Sequence, residues 1–327
     1  MLFQSGSLAV RRLVEADVPL LTKWMSDPRV LQYFGGLNDV HDEAKIRADC
    51  FDDDVDIRCM FELDGRPIGY IQFCPSTDSN YGFAPSDNMW GIDLYIGEPE
   101  LWNKGIGTQL LRASAEYLLS SGRASVVTID PLIYNTRAVR SYEKAGFRKH
   151  HFMPRNEMHE GLYRDSWLMV FGPPSPFRVE KLAALHIEAL EPLAQEAEAQ
   201  GFEFMRRLID DYTSGTNRFD KPGEAMFGVY EGEAMIGFGG LNIDSYLNHP
   251  RVGRVRHVYV LAAHRRHGAG RDLLMAIITA ARPHFDLLRL RTNTPEGAKF
   301  YESVGFEHRP FDDDATHIIQ FTPLPLP

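Results

Sequence analysis

The sequence predicts two consecutive copies of one α/β (α+β) fold, on three observations. The first is the stretch Met89 to Leu111, MWGIDLYIGEPELWNKGIGTQLL, in which a strand passes through a turn and a glycine-rich loop into a helix. The second is repetition: LWNKGIGTQLL returns as HRRHGAGRDLL, and AVRSYEKAGF returns as GAKFYESVGF, in the same order further along. The third is Gly172-Pro173-Pro174-Ser175-Pro176 between the copies, which can continue neither a helix nor a strand. A duplication of this period means two folds with separate cores, and 327 residues are enough for both. The domains are expected at residues 1–172 and 177–327.

The elements of the first copy follow from periodicity. A short strand is expected over Leu8 to Leu13, then a helix through Leu20, Leu21, Trp24 and Met25, broken at Tyr33-Phe34-Gly35-Gly36. A second helix is expected within Asp39 to Asp56, a stretch carrying Asp42, Glu43, Asp49, Asp52, Asp53, Asp54 and Asp56. Those acids read first as a solvated face or helix end, and second as a wall that attracts a polycation. Asp56 to Leu63 and Pro67 to Cys74 form a hairpin around Asp64-Gly65-Arg66, and a loop then leads to the central strand. There Trp90, Ile92, Leu94 and Ile96 alternate with Gly91, Asp93 and Tyr95, as a strand with two different faces requires. Ser125 to Asp130 is a further strand and Thr136 to Ala145 a helix that Gly146 ends. Arg148 to Met153 and Ser166 to Phe171 close the copy as strands.

The second copy repeats the order. A strand at Val179 to Leu182 precedes helices at Ile187 to Ala199 and Phe202 to Tyr212. A hairpin joins Ala225 to Tyr230 with Ala234 to Leu241, and the central strand is Arg254 to Val260. A helix runs through Leu273, Leu274, Ile277 and Ile278, followed by a strand at Leu287 to Arg291 and a helix at Glu296 to Val304.

The loop Asn103-Lys104-Gly105-Ile106-Gly107-Thr108 opens a helix marked by Ile106, Leu110, Leu111, Ala115 and Leu118. Backbone N–H groups at such a start lack helical acceptors and sit at the positive end of the helix dipole, which suits an anion such as phosphate. Arg265-Arg266-His267-Gly268-Ala269-Gly270 repeats the arrangement. The chain carries 45 acidic against 35 basic side chains, a net charge of −10, which disfavours a nucleic-acid partner and suits a cationic ligand. Cys50, Cys59 and Cys74 form no metal motif and read as free thiols, so a reducing cytoplasm is expected. No apolar run approaches the ~20 residues of a membrane span, and the opening residues do not read as a secretion signal.

This ordered set of strand, R/Q-x-x-G-x-G/A loop, helix, strand and helix ending Y-x-x-x-G-F resembles the GNAT acyltransferases, in duplicate and over nearly the whole chain. The resemblance implies a mixed, mostly antiparallel twisted sheet with helices on both sides. It also implies acetyl-CoA as cosubstrate, its pyrophosphate on the loop amides and its pantetheine arm along the central strand. In the first copy the implied contacts are Leu94, Tyr95, Ile96, Asn103, Lys104, Gly105, Ile106, Gly107, Thr108 and Asn135. In the second they are Arg265, Arg266, His267, Gly268, Ala269, Gly270 and Tyr301.

The first copy is similar more specifically to the aminoglycoside 6′-N-acetyltransferases, through YGF…MWGIDLYIGEPELWNKGIGT, TIDPLIYNTRAVRSYEKAGF and NEMHEGLYRDSWLM. Trp102 stands where the general family has Arg or Gln, as in that subgroup, whereas Leu94 replaces the Gln usual after the aspartate. Acetyl transfer needs a held thioester, a neutral amine, stabilisation of developing negative charge and a proton for the leaving thiolate. The resemblance implies Asp93 at the substrate ammonium, chiefly as a positioning group, and Tyr142 as the thiolate's proton donor. It implies Asp130 and Asp165 as further carboxylates for a polyamine sugar, though either reads equally as an ordinary surface acid. In the second copy the central strand has no acid. Thr294 takes the Asn135 position, and His257 is either a base or a structural residue.

The function expected is acetyl-CoA-dependent N-acetylation of a polycationic small molecule, with no metal. Other small amines (a polyamine, an amino sugar, a siderophore precursor) remain open as acceptors, as does a non-catalytic acyl-CoA-binding module. The sequence leaves the oligomeric state undecided.

Overall fold

The computed structural model describes residues 1–51, 55–76, 83, 87–247, 249–309 and 314–323. Asp52, Asp53 and Asp54 of the acid-rich stretch, and Tyr81-Gly82 of the YGF segment, lie outside the described residues. The chain divides into two units, Met1–Arg148 with Arg155–Pro173, and Lys149–Pro154 with Pro174–Pro327.

In the first unit the strands are β1 (Phe3–Ser5), β2 (Leu8–Arg12), β3 (Ile57–Leu63), β4 (Arg66–Ser76), β5 (Met89–Ile96), β6 (Val126–Ile129), β7 (Phe147–His159) and β8 (Leu162–Phe171). The helices are α1 (Val18–Trp24), α2 (Pro28–Leu31), α3 (Glu43–Phe51), α4 (Ile106–Ser120) and α5 (Thr136–Ala145). The sheet order is β1-β2-β3-β4-β5-β6-β8-β7. Pairing from β1 to β5 and between β6 and β8 is antiparallel, while β5 and β6 run parallel. The β5–β6 register covers only Met89–Gly91 against Val126–Thr128, after which the strands part, so Ile92 to Ile96 keep an open edge.

Both faces of β5 are covered. Ile92 is buried on one side, and Tyr95 on the other packs with Val18, Leu21, Trp24 and Tyr70. The alternation expected from sequence therefore separates two packed faces, not a core face from a wet one. Gly97 and Glu98 lock the end of the strand. A Cβ on Gly97 would lie 2.0 Å from Trp24 Cδ2, and the indole N–H of Trp24 donates to Glu98 Oε1 at 3.0 Å. Only glycine fits against that ring.

The second unit has β9 (Arg178–Leu182), β10 (Ala225–Glu231), β11 (Ala234–Ile243), β12 (Val252–Val260), β13 (Leu287–Leu290), β14 (Glu307–His308) and β15 (His317–Gln320). Its helices are α6 (Ile187–Ala199), α7 (Phe204–Ser214), α8 (Ala269–Ala281) and α9 (Pro295–Glu302). The order β14-β15-β13-β12-β11-β10-β9 again has one parallel pair, β12 with β13, limited to Val252–Arg254 against Leu287–Arg289. Leu190, Leu193, Leu208, Phe238 and Tyr259 anchor the core under α6 and α7. These sheets of mostly antiparallel strands, flanked by helices, are the fold expected from the sequence. The strands β1, β14 and β15 and the one-turn helix α2 were not foreseen, because each is too short to show a period. No helix among the described residues is long and apolar enough to cross a membrane.

Candidate active site

Trp102 sets the geometry of the first glycine-rich loop. The chain leaves β5 through a single turn at Pro99–Leu101, and the Trp102 indole N–H donates back to the Ile96 carbonyl at 2.8 Å. Asn103 and Gly105 then take left-handed φ values of 60° and 80°, and α4 starts at Ile106. Gly105 is free of contacts where a Cβ would sit, so its left-handed backbone is what favours glycine there. The first N–H to find an acceptor inside the helix is that of Gln109, on Gly105 O. The amides of Ile106, Gly107 and Thr108 are thus left for another partner.

The second unit builds the same loop with different side chains. Arg265 Nε donates to Val260 O at 2.7 Å, Arg266 and Gly268 take φ values of 67° and 99°, and Asp272 N bonds Gly268 O. Arg265 therefore does the work of Trp102. Ala269 is buried, and a Cβ on Gly270 would meet Phe300 Cζ at 3.0 Å, so that glycine serves helix packing. Tyr301 packs against Phe300, Phe306 and His317.

A cleft of about 550 Å³ brings the expected residues of the first unit together: Leu94, Tyr95, Ile96, Asn103, Gly105, Ile106, Gly107, Thr108, Asn135 and Tyr142 all line it. Lys104 is exposed beside it and does not line it. Asn135 is also the N-cap of α5, accepting from Ala138 N at 3.1 Å, and Thr294 does the same for α9 from Gly297 N. The substitution at that position keeps the cap. Thr108 Oγ1 and Ser141 Oγ, 2.8 Å apart, tie α4 to α5.

Four cations that sequence reasoning missed, Arg29, Arg137, Arg140 and Lys144, also line the cleft. Arg137 stacks over Trp102 at 4.2 Å and over Tyr33 at 5.1 Å. A cleft with outward amides and this charge fits a polyphosphate arm.

Beyond the open edge of β5 lies the opposite charge. Asp93 Oδ2 accepts from Gln72 Nε2 at 2.8 Å. Burial raises the Asp93 pKa above the carboxylate range, the Gln72 hydrogen bond opposes that, and Asp56 adds to it. Asp130, at the end of β6, and Glu157, on β7, are both pushed up to about 7, first by burial and then by repulsion from Asp93. The Asp130 residue is open to solvent, which screens it, so the half-buried Glu157 is the better guide to the cluster's titration. Among the described residues no Lys or Arg forms an ion pair with any of the three. Glu157 was also missed by sequence reasoning, which ended its strand at Met153.

Tyr142 lies between cleft and cluster, and burial first, then Asp93 and Asp130, keep its hydroxyl protonated far above neutrality. Asp165 lies on β8. It is buried, and its Oδ1 accepts the Arg155 amide at 3.1 Å, which gives it a role in holding β7 to β8. In the acid-rich stretch, Asp42 caps α3 through Lys45 N and Asp49 faces His41 at 3.3 Å; among its described residues, Asp56 acts electrostatically on Asp93.

In the second unit His257 interrupts β12. Its φ is 54°, and it sits where the pairing with β11 slips between Phe238 and Gly240. Its Nδ1 is 2.9 Å from Phe204 O, and burial followed by Arg256 lowers its pKa to about 4.

Residues 13–154 match a family model described as Acetyltransferase (GNAT) domain, and residues 222–308 match a second of the same description. The aminoglycoside N(6')-acetyltransferase type 1 of Klebsiella pneumoniae is 30% identical over 154 residues, covering 44% of this chain and 76% of that protein. The protein of that name from Serratia marcescens matches equally. A kanamycin resistance protein of Rhizobium radiobacter is 41% identical over 59 residues, 18% of this chain and 55% of that one. Among solved structures, AAC(6')-Ib in complex with ribostamycin and coenzyme A is 25% identical, with a TM-score of 0.43 over 50% of this chain and 93% of that one.

Proposed function

The chain belongs to the GNAT acetyltransferase family, and from that premise we propose the reaction of its first unit. It is an N-acetyltransferase that moves an acetyl group from acetyl-CoA to a primary amine of a polycationic small molecule, the 6′-amine of an aminoglycoside. The observation that carries this reading is the cluster of Asp93, Asp130 and Glu157, without an ion pair to any Lys or Arg among the described residues, beside the cleft that holds Tyr142. Carboxylates held up toward neutrality by burial and then by mutual repulsion are stabilised in their charged form by a ligand with several ammonium groups.

Bound acetyl-CoA supplies the acetyl group as an activated thioester. The amides of Ile106, Gly107 and Thr108, with Arg137, Arg140 and Lys144, hold its phosphates, and the open edge of β5 from Ile92 to Ile96 aligns the arm. Asp93, fixed by Gln72, positions the acceptor amine against the thioester carbonyl. As the C–N bond forms and the C–S bond breaks, the amine proton leaves to Asp93 directly or through water. Tyr142 supplies a proton to the departing sulfur, which its raised pKa makes available at neutral pH.

The test is thiol release from acetyl-CoA with kanamycin- and tobramycin-type sugars and with spermidine, on the wild type and on Asp93→Ala. Release with the sugars that vanishes in the variant is expected. Release with spermidine alone would move the acceptor to another amine class, and no release with any amine would overturn the reading.

A further inference from the structure

Strand register superimposes the two central strands residue by residue. Ile96 and Val260 correspond, since each gives its carbonyl to the loop side chain that follows it. Counting back along the neighbouring hairpin strands, Gly69 faces Ile96 and Gly237 faces Val260, so Gln72 corresponds to Gly240. Asp93 is opposite Gln72, and the residue opposite Gly240 is Arg256. The slip at His257 inserts one residue, so Arg256 and not His257 takes the position of Asp93. On the parallel neighbour, Thr128 pairs with Gly91 and Arg289 with Arg254, so the next position but one places Arg291 where the first unit has Asp130. Two of the three acids of the first unit's cluster, Asp93 and Asp130, thus correspond to arginines in the second.

The arginine at the Asp93 position is left without a partner. Arg254 and Arg289 share the buried Asp244 at 3.0 and 3.2 Å, so that carboxylate is already engaged by two guanidinium groups. Arg256 is half-buried and has no hydrogen bond or ion pair among the described residues; Arg207, Arg254 and Asp211 are the charged groups that act on it. Beside it, His257 gives its Nδ1–H to Phe204 O, which leaves Nε2 as an acceptor. That nitrogen is buried and has no hydrogen-bond partner among the described residues. A planar guanidinium fork and a neighbouring acceptor nitrogen complement a carboxylate and an N–H on one small molecule.

We propose that the second unit binds a small amino-carboxylate, its carboxylate on Arg256 and its N–H toward His257 Nε2, where the first unit takes a polycation. This is independent of the acceptor assigned to the first unit. The experiment is calorimetric titration of the full chain with alanine and with glutamate, and with inorganic phosphate as a bare anion. Saturable binding of an amino acid is expected, weaker by roughly ten- to a hundredfold in Arg256→Gln and only partly restored in Arg256→Lys, which keeps the charge without the fork. Melting curves identify a variant that has lost its fold. The wild type decides alone if both variants unfold. Absence of saturable amino-acid binding, or equal binding by wild type and a folded Arg256→Gln, would overturn the proposal. Phosphate binding as tightly with the same dependence on Arg256 would also overturn it, in favour of a site for any anion.

Discussion

Asp93→Asn separates charge from shape. The amide occupies the same volume and keeps an oxygen for Gln72 Nε2, so the strand should stand. What disappears is the negative charge at the acceptor amine, and turnover is expected to fall by about 10²–10⁴-fold, the range for a positioned acid–base group. Coenzyme A affinity should hold, because Asp93 does not line the cleft. A second readout follows from linkage. Glu157 titrates near 7 in the folded chain, against an ordinary value of 4.5. The native state therefore binds protons more tightly than the unfolded chain, and its stability falls as pH rises between those values. The cost for Glu157 is on the order of 3 kcal/mol once it is ionised, most of it from burial and a smaller part from Asp93. Removing Asp93 should return the smaller, repulsive part of that cost at pH above 7 and little near pH 4, a rise in melting temperature of roughly 2–4 °C for each kcal/mol recovered. Thiol release and thermal melts across that range measure both effects. Near-wild-type turnover, or loss of coenzyme binding in parallel with turnover, would refute the reasoning.

Other perturbations address the remaining parts of the site. With a cationic acceptor, kcat/KM should rise with pH through about 7 as Glu157 ionises; Glu157→Gln should lack that step, and identical profiles would remove Glu157 from recognition. Tyr142→Phe should lower turnover with KM nearly constant, and an unchanged rate at every pH would end its assignment as proton donor. Gly107→Val has room in the protein itself, the nearest atoms to a Cβ being 3.8 Å away. Its melting temperature should hold while coenzyme affinity collapses in the first unit, and retained affinity would misplace the anion site. Trp102→Leu removes the donor from Ile96 O and should cost about 1–3 kcal/mol in urea unfolding. Trp102→Arg should cost less, since Arg265 fills that role in the second unit; equal losses would deny the equivalence.

The framework was legible wherever chemistry is local. Helix α5 spans Thr136–Ala145 as expected, because Asn135 caps one end and Gly146 ends the other at a φ of 111°. The loop at Gly105 announced itself for the same reason. What escaped was set by non-local pairing. Pro154 and the left-handed Arg155, φ 50°, look like the end of a strand, yet β7 continues to His159 and delivers Glu157 to the cluster. Arg137 gave no signal because its partners, Trp102 and Tyr33, are remote in sequence. Asp165 shows a second kind of non-local role, since its carboxylate also accepts the Arg155 amide across β7 and β8.

The repeat shows which features the scaffold demands. Different side chains at Trp102 and Arg265 close the same turn, and Asn135 and Thr294 cap equivalent helices, because those jobs need only a donor or an acceptor at a fixed place. The acceptor side is under no such geometric demand. A single inserted residue at His257, with its φ of 54°, exchanges which side chain stands opposite the hairpin strand without disturbing Tyr259 or the loop beyond it. A β-bulge re-aims a strand at small cost to its neighbours. The glycine-rich loop can therefore stay constant while the charge opposite the hairpin strand reverses, from Asp93 in one unit to Arg256 in the other.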